Sequence, residues 1–335
     1  MATEEIPLLP NIPERLRIAA KQGIVIPFIG AGVSQLGGCP GWDGFADDAL
    51  RYFLNRKDID HAKYDQLSRL PARVKLSVAV GLEQQFKANI EFDKILKPHD
   101  AIKKAAGEKI YAHLAQLAHT FVTTNYDEWL DIQPAAMPEL SGVVSTPTTS
   151  TPSLTRNPLW NPEEFTDIAL TTPGTVIHIH GSAKKRDSMI LTTSDYLKRY
   201  SSHQPNDENT YLTFLGHLFR TKSVLFIGYS LSELEILEYV IQKGVGNRGI
   251  YSKQEGPLEE PMHHIVQGFY SHEAQLMRGL SDYYLNEFNV RLLPFSKDQS
   301  GWHQLIEVVE HLSRQIPVGG VLPTQQRLEM EALLE

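Results

Sequence analysis

Short apolar runs that recur along the chain are the feature that most constrains its fold. They occupy Ile24–Ile29, Phe121–Thr124, Val176–His180, Ser223–Ile227, His264–Gln267 and Val290–Pro294. Stretches of helical period, such as Leu231–Gln242 and His272–Phe288, separate several of these runs. Short buried strands that alternate with helices predict an α/β fold with a doubly wound, Rossmann-like parallel sheet.

Two regions of the sequence are additional to the strands and crossover helices that a sheet of this kind needs. Residues 44–118 are almost entirely helix-like, which is too long for one crossover, so we expect a helical insertion there. Residues 138–162 are rich in Pro, Thr and Ser and are expected to form an irregular loop. The predicted division is an N-terminal segment at 1–20, the sheet domain at 21–315 and a C-terminal tail at 316–335.

Composition excludes several classes of protein. The single cysteine, Cys39, rules out a disulfide framework and a four-cysteine zinc ribbon. The net charge of −8 is not that of a dedicated nucleic-acid binder, and direct contact with nucleic acid stays open. An acidic amino terminus and the lack of any apolar window near ~18 residues predict a cytoplasmic protein.

A glycine-rich turn, GAGVS at residues 30–34, directly follows the first apolar run. Without a Cβ atom, such a turn lets a phosphate approach, and its backbone N–H groups then face the phosphate. The third glycine of the dehydrogenase fingerprint is missing, because Gln35 stands there. The turn alone fits a plain strand-to-helix connection as well as a phosphate loop.

Polar residues also follow the second apolar run, in the motif TTNYD at residues 123–127. Side chains at the carboxyl end of a buried strand point into the crevice where open α/β sheets bind ligands. An Asx-type turn with a helix cap at Asp127 explains the same residues, and the motif by itself favours that interpretation.

Two histidines occur in the motif VIHIHGS at residues 176–182. Period-two alternation predicts that His178 and His180 share one face of their strand. His180 comes at the carboxyl end, beside a glycine, and an imidazole there suits the role of general base. A lone histidine is more often structural, and we interpret His178 and the pair His263–His264 in that way.

The next strand ends in FIGYSLSE at residues 226–233. Gly228 and Ser230 are candidates to line a cofactor groove. Alternatively, Ser230 or Ser232 caps the following helix, with Glu233 near its first turn.

Taken together, the motifs GAGVS, TTNYD, HIHGS and GYSLSE fall in order at the carboxyl ends of one predicted sheet. The set resembles the sirtuin-like NAD-binding domain over about residues 20–315. The strand at Val290–Phe295 and the segment WHQLI at 302–306 fit the closing strand and helix of that domain.

The resemblance implies roles for residues of all these motifs. The positions implied to contact NAD are Gly30, Ala31, Gly32, Ser34, Thr124, Asp127, Gly228 and Ser230. Among them, the glycine turn is implied to cradle the phosphates and Asp127 to support the nicotinamide end. Asn125 is implied to orient the nicotinamide ribose or the attacking water, and His180 to act as the catalytic base.

The chain departs from the protein-deacylating sirtuins in two ways. It cannot build their zinc ribbon, and Thr124 stands where their motif has Gln. Both departures resemble the bacterial antiphage-defence branch, whose members are implied to hydrolyse NAD to nicotinamide and ADP-ribose. That resemblance implies NAD as the substrate and no metal.

The same resemblance implies a homo-oligomer controlled by a regulatory partner, a HerA-type ATPase or, as second choice, a short Argonaute. Other hypotheses are an NAD-dependent protein deacylase, disfavoured by the missing ribbon, and a non-catalytic NAD- or ADP-ribose-binding module. Pure binding does not need a base, so Asn125 and His180 argue against the latter. A dehydrogenase is the least favoured.

Overall fold

The computed structural model of the chain describes residues 5–98, 100–132, 155–200, 209–229 and 261–316. At its centre lies a seven-stranded sheet in the order β3-β4-β2-β1-β5-β6-β7, with every pair parallel. The strands are β1 (Val25–Ile29), β2 (Phe121–Thr123), β3 (Asn157–Leu159), β4 (Thr175–His178), β5 (Ser223–Ile227), β6 (His263–Phe269) and β7 (Val290–Ser296). The predicted parallel α/β sheet is confirmed.

Edge strand β3 was not predicted. It falls inside the range 138–162, for which an irregular loop was expected, and that expectation is wrong for residues 157–159. The strand is three residues long and contains Pro158, which a sheet tolerates at its edge because no neighbour needs the missing N–H. Residues 133–154 of the same region lie outside the described residues.

Helices cover both faces of the sheet. Those in the described residues are α1 (Glu14–Lys21), α2 (Ala31–Leu36), α3 (Trp42–Asn55), α4 (His61–Ser68), α5 (Ala72–Phe86), α6 (Phe92–Ile95), α7 (Ala101–Leu117), α8 (Thr193–Tyr200), α9 (Thr210–Thr221), α10 (Ala274–Phe288) and α11 (Gln304–Gln315). Helices α9 and α10 share a core with Ile26 and Phe28, whereas α1, α2, α7 and α11 share one with Ile29. This alternation along β1 is the pattern of a strand buried on both faces.

Helices α3 to α6 form a subdomain with an apolar core of its own, which includes Phe45, Leu50, Phe53 and Leu76. That core continues into Tyr126, in the segment after β2. Helix α7 is different, because it packs against α11 in the core on the sheet. Of the predicted insertion at 44–118, the part that stands apart from the sheet therefore ends before α7.

The N-terminal segment also joins the fold. Helix α1 begins inside the range 1–20 and buries Leu16 and Ala20 in the core on the sheet. Most of the predicted tail, residues 317–335, lies outside the described residues, as does the predicted helix at Leu231–Gln242. No helix in the described part of the chain is long and apolar enough to cross a membrane.

Candidate functional site

A cleft opens where β1, β2 and β4 end, against helices of the α3–α6 subdomain. Its empty volume, including the part open to solvent, is about 770 Å³. The predicted site residues that line it are Ala31, Ser34, Thr124, Asn125, Asp127 and His180. The structure thus brings together residues of three separate motifs.

Ser34 connects two of these motifs, GAGVS and TTNYD, through hydrogen bonds. Its hydroxyl donates to Oδ2 of Asp127 at 2.6 Å. Since that bond uses its single hydrogen, Ser34 Oγ accepts from Asn125 Nδ2 at 2.8 Å and from the Tyr111 hydroxyl at 3.1 Å. The side chains at the ends of β1 and β2 are therefore fixed relative to each other before any ligand binds.

Asn125 can offer a ligand one polar side-chain atom. Its Nδ2 donates to Ser34 Oγ and, at 3.1 Å, to the carbonyl oxygen of Gly30. Its backbone N–H donates to Thr123 Oγ1 at 3.0 Å. With both amide hydrogens engaged, the remaining group is the acceptor Oδ1.

Asp127 is buried and carries a perturbed carboxyl group. Burial raises its pKa, and the hydrogen bonds donated by Ser34 and by the Trp129 backbone offset this only in part. The bond from Trp129 N to Oδ1, at 3.1 Å, is the Asx-type turn that the motif itself favours. The same carboxylate thus closes a turn and lines the cleft.

His180 contacts a group of tyrosines. Its Nε2 lies 3.0 Å from the Tyr200 hydroxyl, which lies 2.9 Å from the hydroxyl of Tyr211. The ring of Tyr196 meets the imidazole edge-on at 5.4 Å. Burial, reinforced by the positive charges of nearby arginines, lowers the pKa of His180 to about 3. The imidazole is therefore neutral at pH 7.

His178 lies in different surroundings, as its structural interpretation requires. It is completely buried, with Nδ1 3.0 Å from the carbonyl oxygen of Asn125 and Nε2 2.8 Å from Asp131 Oδ1. Burial lowers its pKa, but the hydrogen bond and charge of Asp131 outweigh burial, so the net pKa is raised. Strand β4 ends at His178 and the chain then turns, so the two histidines do not share one environment.

Two amides of the glycine turn, which the sequence predicted would face a phosphate, are paired within the protein. The N–H groups of Gly30 and Gly32 donate to the carbonyl oxygens of Ile227 and Gly228, each at 2.9 Å. A Cβ atom at Gly30 would lie 2.6 Å from the oxygen of Gly228, which explains this glycine by backbone packing alone. The expectation of free N–H groups is wrong for these two amides.

Gly32 is covered by an indole ring from the far end of the chain. Trp302 Nε1 donates to the carbonyl oxygen of Gly32 at 2.8 Å, and a Cβ atom at Gly32 would lie 2.8 Å from the Trp302 ring. Gly228 has φ of +67°, and its Cβ would lie 2.6 Å from the nitrogen of Val33. None of the three glycines is among the residues that line the cleft, and Ser230 lies outside the described residues.

Several residues that line the cleft were missed by sequence reasoning. They are Cys39, Pro40, Trp42, Phe45, Arg73, Leu96, Tyr126 and Tyr196. Most come from the α3–α6 subdomain and the segment leading to it, which the sequence identified only as an insertion. Burial raises the pKa of the Cys39 thiol far above its usual range, so this cysteine is not a reactive thiolate.

No group of three or more His, Cys, Asp or Glu side chains able to hold a metal ion occurs among the described residues. The arrangement of the cleft is that of a polar, hydrogen-bonded floor with an aromatic wall. Such a surface suits a ligand with both flat rings and hydroxyl groups.

Comparison with known proteins gives two matches. Residues 119–249 match the SIR2-like domain family, a range that contains the TTNYD, HIHGS and GYS motifs and begins after the glycine turn. Defense-associated sirtuin 2 of Bacillus subtilis is 24% identical over 222 residues, which cover 65% of this chain and 19% of that protein. The chain thus spans a minor part of the length of this relative. The sirtuin-like resemblance predicted from the motifs is confirmed.

Proposed function

Because the chain is sirtuin-like in sequence and has a Rossmann-like α/β fold, we propose that its cleft binds NAD and hydrolyses the nicotinamide–ribose bond. The products are nicotinamide and ADP-ribose. The observation that carries this proposal is the convergence of Ser34, Asn125, Asp127 and His180 on one cleft.

The chemistry needs an oriented nucleophile and a neutral base. When the bond between the sugar C1′ and the ring nitrogen breaks, both electrons leave with nicotinamide, and C1′ becomes an oxocarbenium-like centre. Asn125 Oδ1, the remaining acceptor of that side chain, accepts a hydrogen bond from the attacking water. His180 takes the proton of this water as its oxygen bonds to C1′.

His180 has the protonation state of a base but a low basicity. A pKa of about 3 keeps the ring neutral at pH 7, yet it gives little driving force for taking a proton. The positive charge that develops at C1′ makes the attacking water far more acidic as the bond forms, which reduces the basicity required. Phosphate groups of the ligand, bound next to the nearby arginines, would raise the pKa of His180 and so also favour proton transfer to it.

We place the remaining predicted contacts according to their position. Ala31 and Thr124 line the cleft and are proposed to contact NAD directly. Gly30, Gly32 and Gly228 are proposed to act through the backbone shape at the ends of β1 and β5. Ser230 stays a proposal from the family motif.

The biological role follows the defence-associated relative. We infer that the chain is an NAD-depleting effector of antiphage defence, held inactive until a partner or an assembly step releases it. A homo-oligomer with a HerA-type ATPase is the first candidate assembly, and a short Argonaute is the second. Both rest on family analogy.

The test is incubation of the purified protein with NAD, alone and with each candidate partner, followed by chromatography for nicotinamide and ADP-ribose. We expect equimolar release of both products in at least one arm. Tight NAD binding by calorimetry without product in any arm would replace the hydrolase with a non-catalytic binding module. Transfer of an acyl group from an acyl-lysine peptide to ADP-ribose would indicate a deacylase instead.

A further inference from the structure

Tyr111 belongs to none of the strand-end motifs, yet it contacts the polar cluster of the cleft. It is a buried residue of α7, and its hydroxyl lies 3.1 Å from Ser34 Oγ. Its ring stacks on the ring of Trp129, with centroids 5.3 Å apart and an interplanar angle of 3°. Tyr111 therefore reaches the cluster through one hydrogen bond and one aromatic contact.

Both contacts of Tyr111 lead to Asp127. Ser34 donates to Asp127 Oδ2 at 2.6 Å, and the backbone N–H of Trp129 donates to Oδ1 at 3.1 Å. The two residues that donate to the carboxylate are thus the two residues that Tyr111 contacts. Together the four residues form a closed ring of contacts, with Tyr111 opposite Asp127.

Helix α7 is shaped to hold Trp129 in this ring. Gly107 and Tyr111 are four residues apart and therefore lie on the same face of the helix. A Cβ atom at Gly107 would lie 2.8 Å from the Trp129 ring and 2.7 Å from Cα of Gly37. The missing side chain lets the indole pack against the α7 backbone beside Tyr111. The place of Tyr111 relative to the cluster is fixed in this way.

The hydroxyl of Ser34 has no hydrogen-bonding capacity left for a ligand. A serine hydroxyl donates one hydrogen bond and accepts two. The Asn125 Nδ2 group donates to it, since that group also faces the carbonyl oxygen of Gly30, which can only accept. Tyr111 donates the other bond that Ser34 accepts, and Asp127 receives the hydrogen of Ser34. Ser34 lines the cleft, but its hydroxyl is fully used by the protein.

This order of hydrogen bonds requires an ionised Asp127. A protonated Asp127 would donate to Ser34, and Ser34 would then donate to Tyr111. The hydrogen of the Tyr111 hydroxyl would be left without an acceptor among the contacts that the described residues make, which is unfavourable for a buried group. The phenol does not ionise instead, because burial and the charge of Asp127 raise its pKa well above the usual value.

We propose that Tyr111 is a positioning residue, which acts through Ser34 to hold Asp127 as a carboxylate and to direct Asn125 Oδ1 into the cleft. This inference rests on the proposed cleavage of NAD, in which Oδ1 orients the attacking water. An ionised Asp127 in the lining of the cleft favours the positive charge that develops on the sugar. Tyr111 itself is not among the residues that line the cleft, so it acts only through its neighbours.

The first experiment compares two buried tyrosines. Tyr111→Phe removes the hydroxyl and keeps the ring on Trp129. Tyr284→Phe is the matched control, because it removes a hydroxyl that donates to Gln267 Oε1 at 3.2 Å, and neither residue lines the cleft. The usual strength of a neutral hydrogen bond predicts a fall in kcat for NAD of roughly two- to tenfold in Tyr111→Phe, with KM within about twofold. Tyr284→Phe should match the wild type. Equal falls in both variants, or a rise in KM with unchanged kcat, would overturn the proposal.

A double-mutant cycle tests whether Tyr111 acts through Ser34. Ser34→Ala is expected to lower kcat more than Tyr111→Phe does, because it also removes the charge-assisted bond to Asp127. Adding Tyr111→Phe to Ser34→Ala should then change kcat by less than about twofold. If Tyr111→Phe lowers kcat by the same factor with and without the Ser34 hydroxyl, Tyr111 supports only the fold and the proposal is wrong.

A titration of the free protein separates this proposal from the proposed reaction. NMR of protein labelled with carbon-13 at Cγ of aspartate follows the Asp127 carboxyl, with Asp127→Asn for assignment. Loss of the Tyr111 hydrogen bond weakens Ser34 as a donor, so the pKa of Asp127 should be higher in Tyr111→Phe than in the wild type and in Tyr284→Phe. That result supports the positioning role even if NAD is not cleaved. An equal pKa in all three proteins refutes it.

The other titratable groups that face Asp127 are Tyr111, Cys39, His178 and Asp131. Burial raises the pKa of Cys39 and of Tyr111 far above the range of the titration. His178 and Asp131 bond to each other, and in the described part of the chain neither bonds to Ser34 or Tyr111. Their effect on Asp127 is therefore the same in the three proteins, and the difference between them reports the Tyr111 hydroxyl.

Discussion

The glycine turn after β1 and the polar cluster after β2 lie side by side at the carboxyl edge of the sheet, but they are filled differently. At its two glycines the turn is packed by the protein itself, since the backbone at Gly228 and the indole of Trp302 lie so close to Gly30 and Gly32 that a Cβ atom would not fit. The polar cluster of Asn125 and Asp127 faces a cleft, and Ser34, from the end of the turn, joins it there through hydrogen bonds to both side chains. A motif at a strand end therefore does not by itself indicate contact with a ligand, because the same edge of the sheet contains both closely packed backbone and an open cleft.

The two histidines of the VIHIHGS motif differ in the same way. His180 lines the cleft, whereas His178 is bonded on both ring nitrogens to the protein. If this difference holds, substitutions of residues that line the cleft (the open region) change NAD cleavage. Substitutions around the glycines of the turn and around His178 (the packed region) change the free energy of unfolding.

His180→Ala is expected to reduce NAD cleavage by roughly 10²–10⁴-fold, because it removes the proposed proton acceptor. Nicotinamide release is measured under conditions where the wild type is active, with circular dichroism to verify folding. His61→Ala, at an exposed histidine, is the matched control and should match the wild type. Near-wild-type turnover in a folded His180→Ala protein would remove His180 from the mechanism.

Asp131→Ala is expected to lower the free energy of unfolding by ~3–5 kcal/mol, because it leaves a buried His178 without its partner. Asp131→Asn retains an acceptor and should cost less. Both are measured by urea denaturation.

The stabilisation from the His178–Asp131 pair is expected to depend on pH. The folded pKa of His178 is raised above 6.5, so the stability from the pair is fully present below pH 6.5 and is lost as pH rises through the folded pKa. The difference between wild type and Asp131→Asn should therefore shrink on going from pH 6 to pH 9. A difference that grows with pH would show that His178 is held neutral.

Gly32→Ala is expected to cost ~1–3 kcal/mol of stability through overpacking against Trp302 and the backbone of Gly228. Gly279→Ala is the matched control, because a Cβ atom at that helical glycine would have nothing within 4 Å, and this variant should gain up to ~1 kcal/mol. Urea denaturation measures both. A Gly32→Ala protein that is as stable as the wild type but binds NAD more weakly would show that the turn contacts the ligand.

The sheet was predictable because the evidence for it is local. A strand buried on both faces is a short apolar run, and each such run in the sequence became a strand. Edge strand β3 could not be predicted in this way, because its three residues, one of them a proline, do not form an apolar run. Its pairing with β4 comes from tertiary structure alone.

The site was predictable only in part, for the same reason. Asn125, Asp127 and His180 follow strands, so topology brings them to one edge whatever the rest of the chain does. Arg73 and Tyr196 lie on helices, and they reach the cleft only because those helices dock there. The glycines showed that space was needed in the turn, but not that Trp302, 270 residues along the chain from Gly32, would occupy it.

Tyr200→Phe gives the smallest expected effect and tests how the open region is held. The hydroxyl of Tyr200 lies between His180 Nε2 and the hydroxyl of Tyr211, so its removal leaves one ring nitrogen of His180 without that hydrogen bond. A neutral bond of this kind is worth ~0.5–1.5 kcal/mol, which predicts a fall in kcat of roughly two- to tenfold. Because Tyr200 is not among the residues that line the cleft, KM for NAD should stay within about twofold. Steady-state kinetics of nicotinamide release distinguishes the two parameters, and Tyr283→Phe, at an exposed tyrosine of α10, is the control. A rise in KM with unchanged kcat would mean that Tyr200 shapes the binding surface and leaves the orientation of His180 to other contacts.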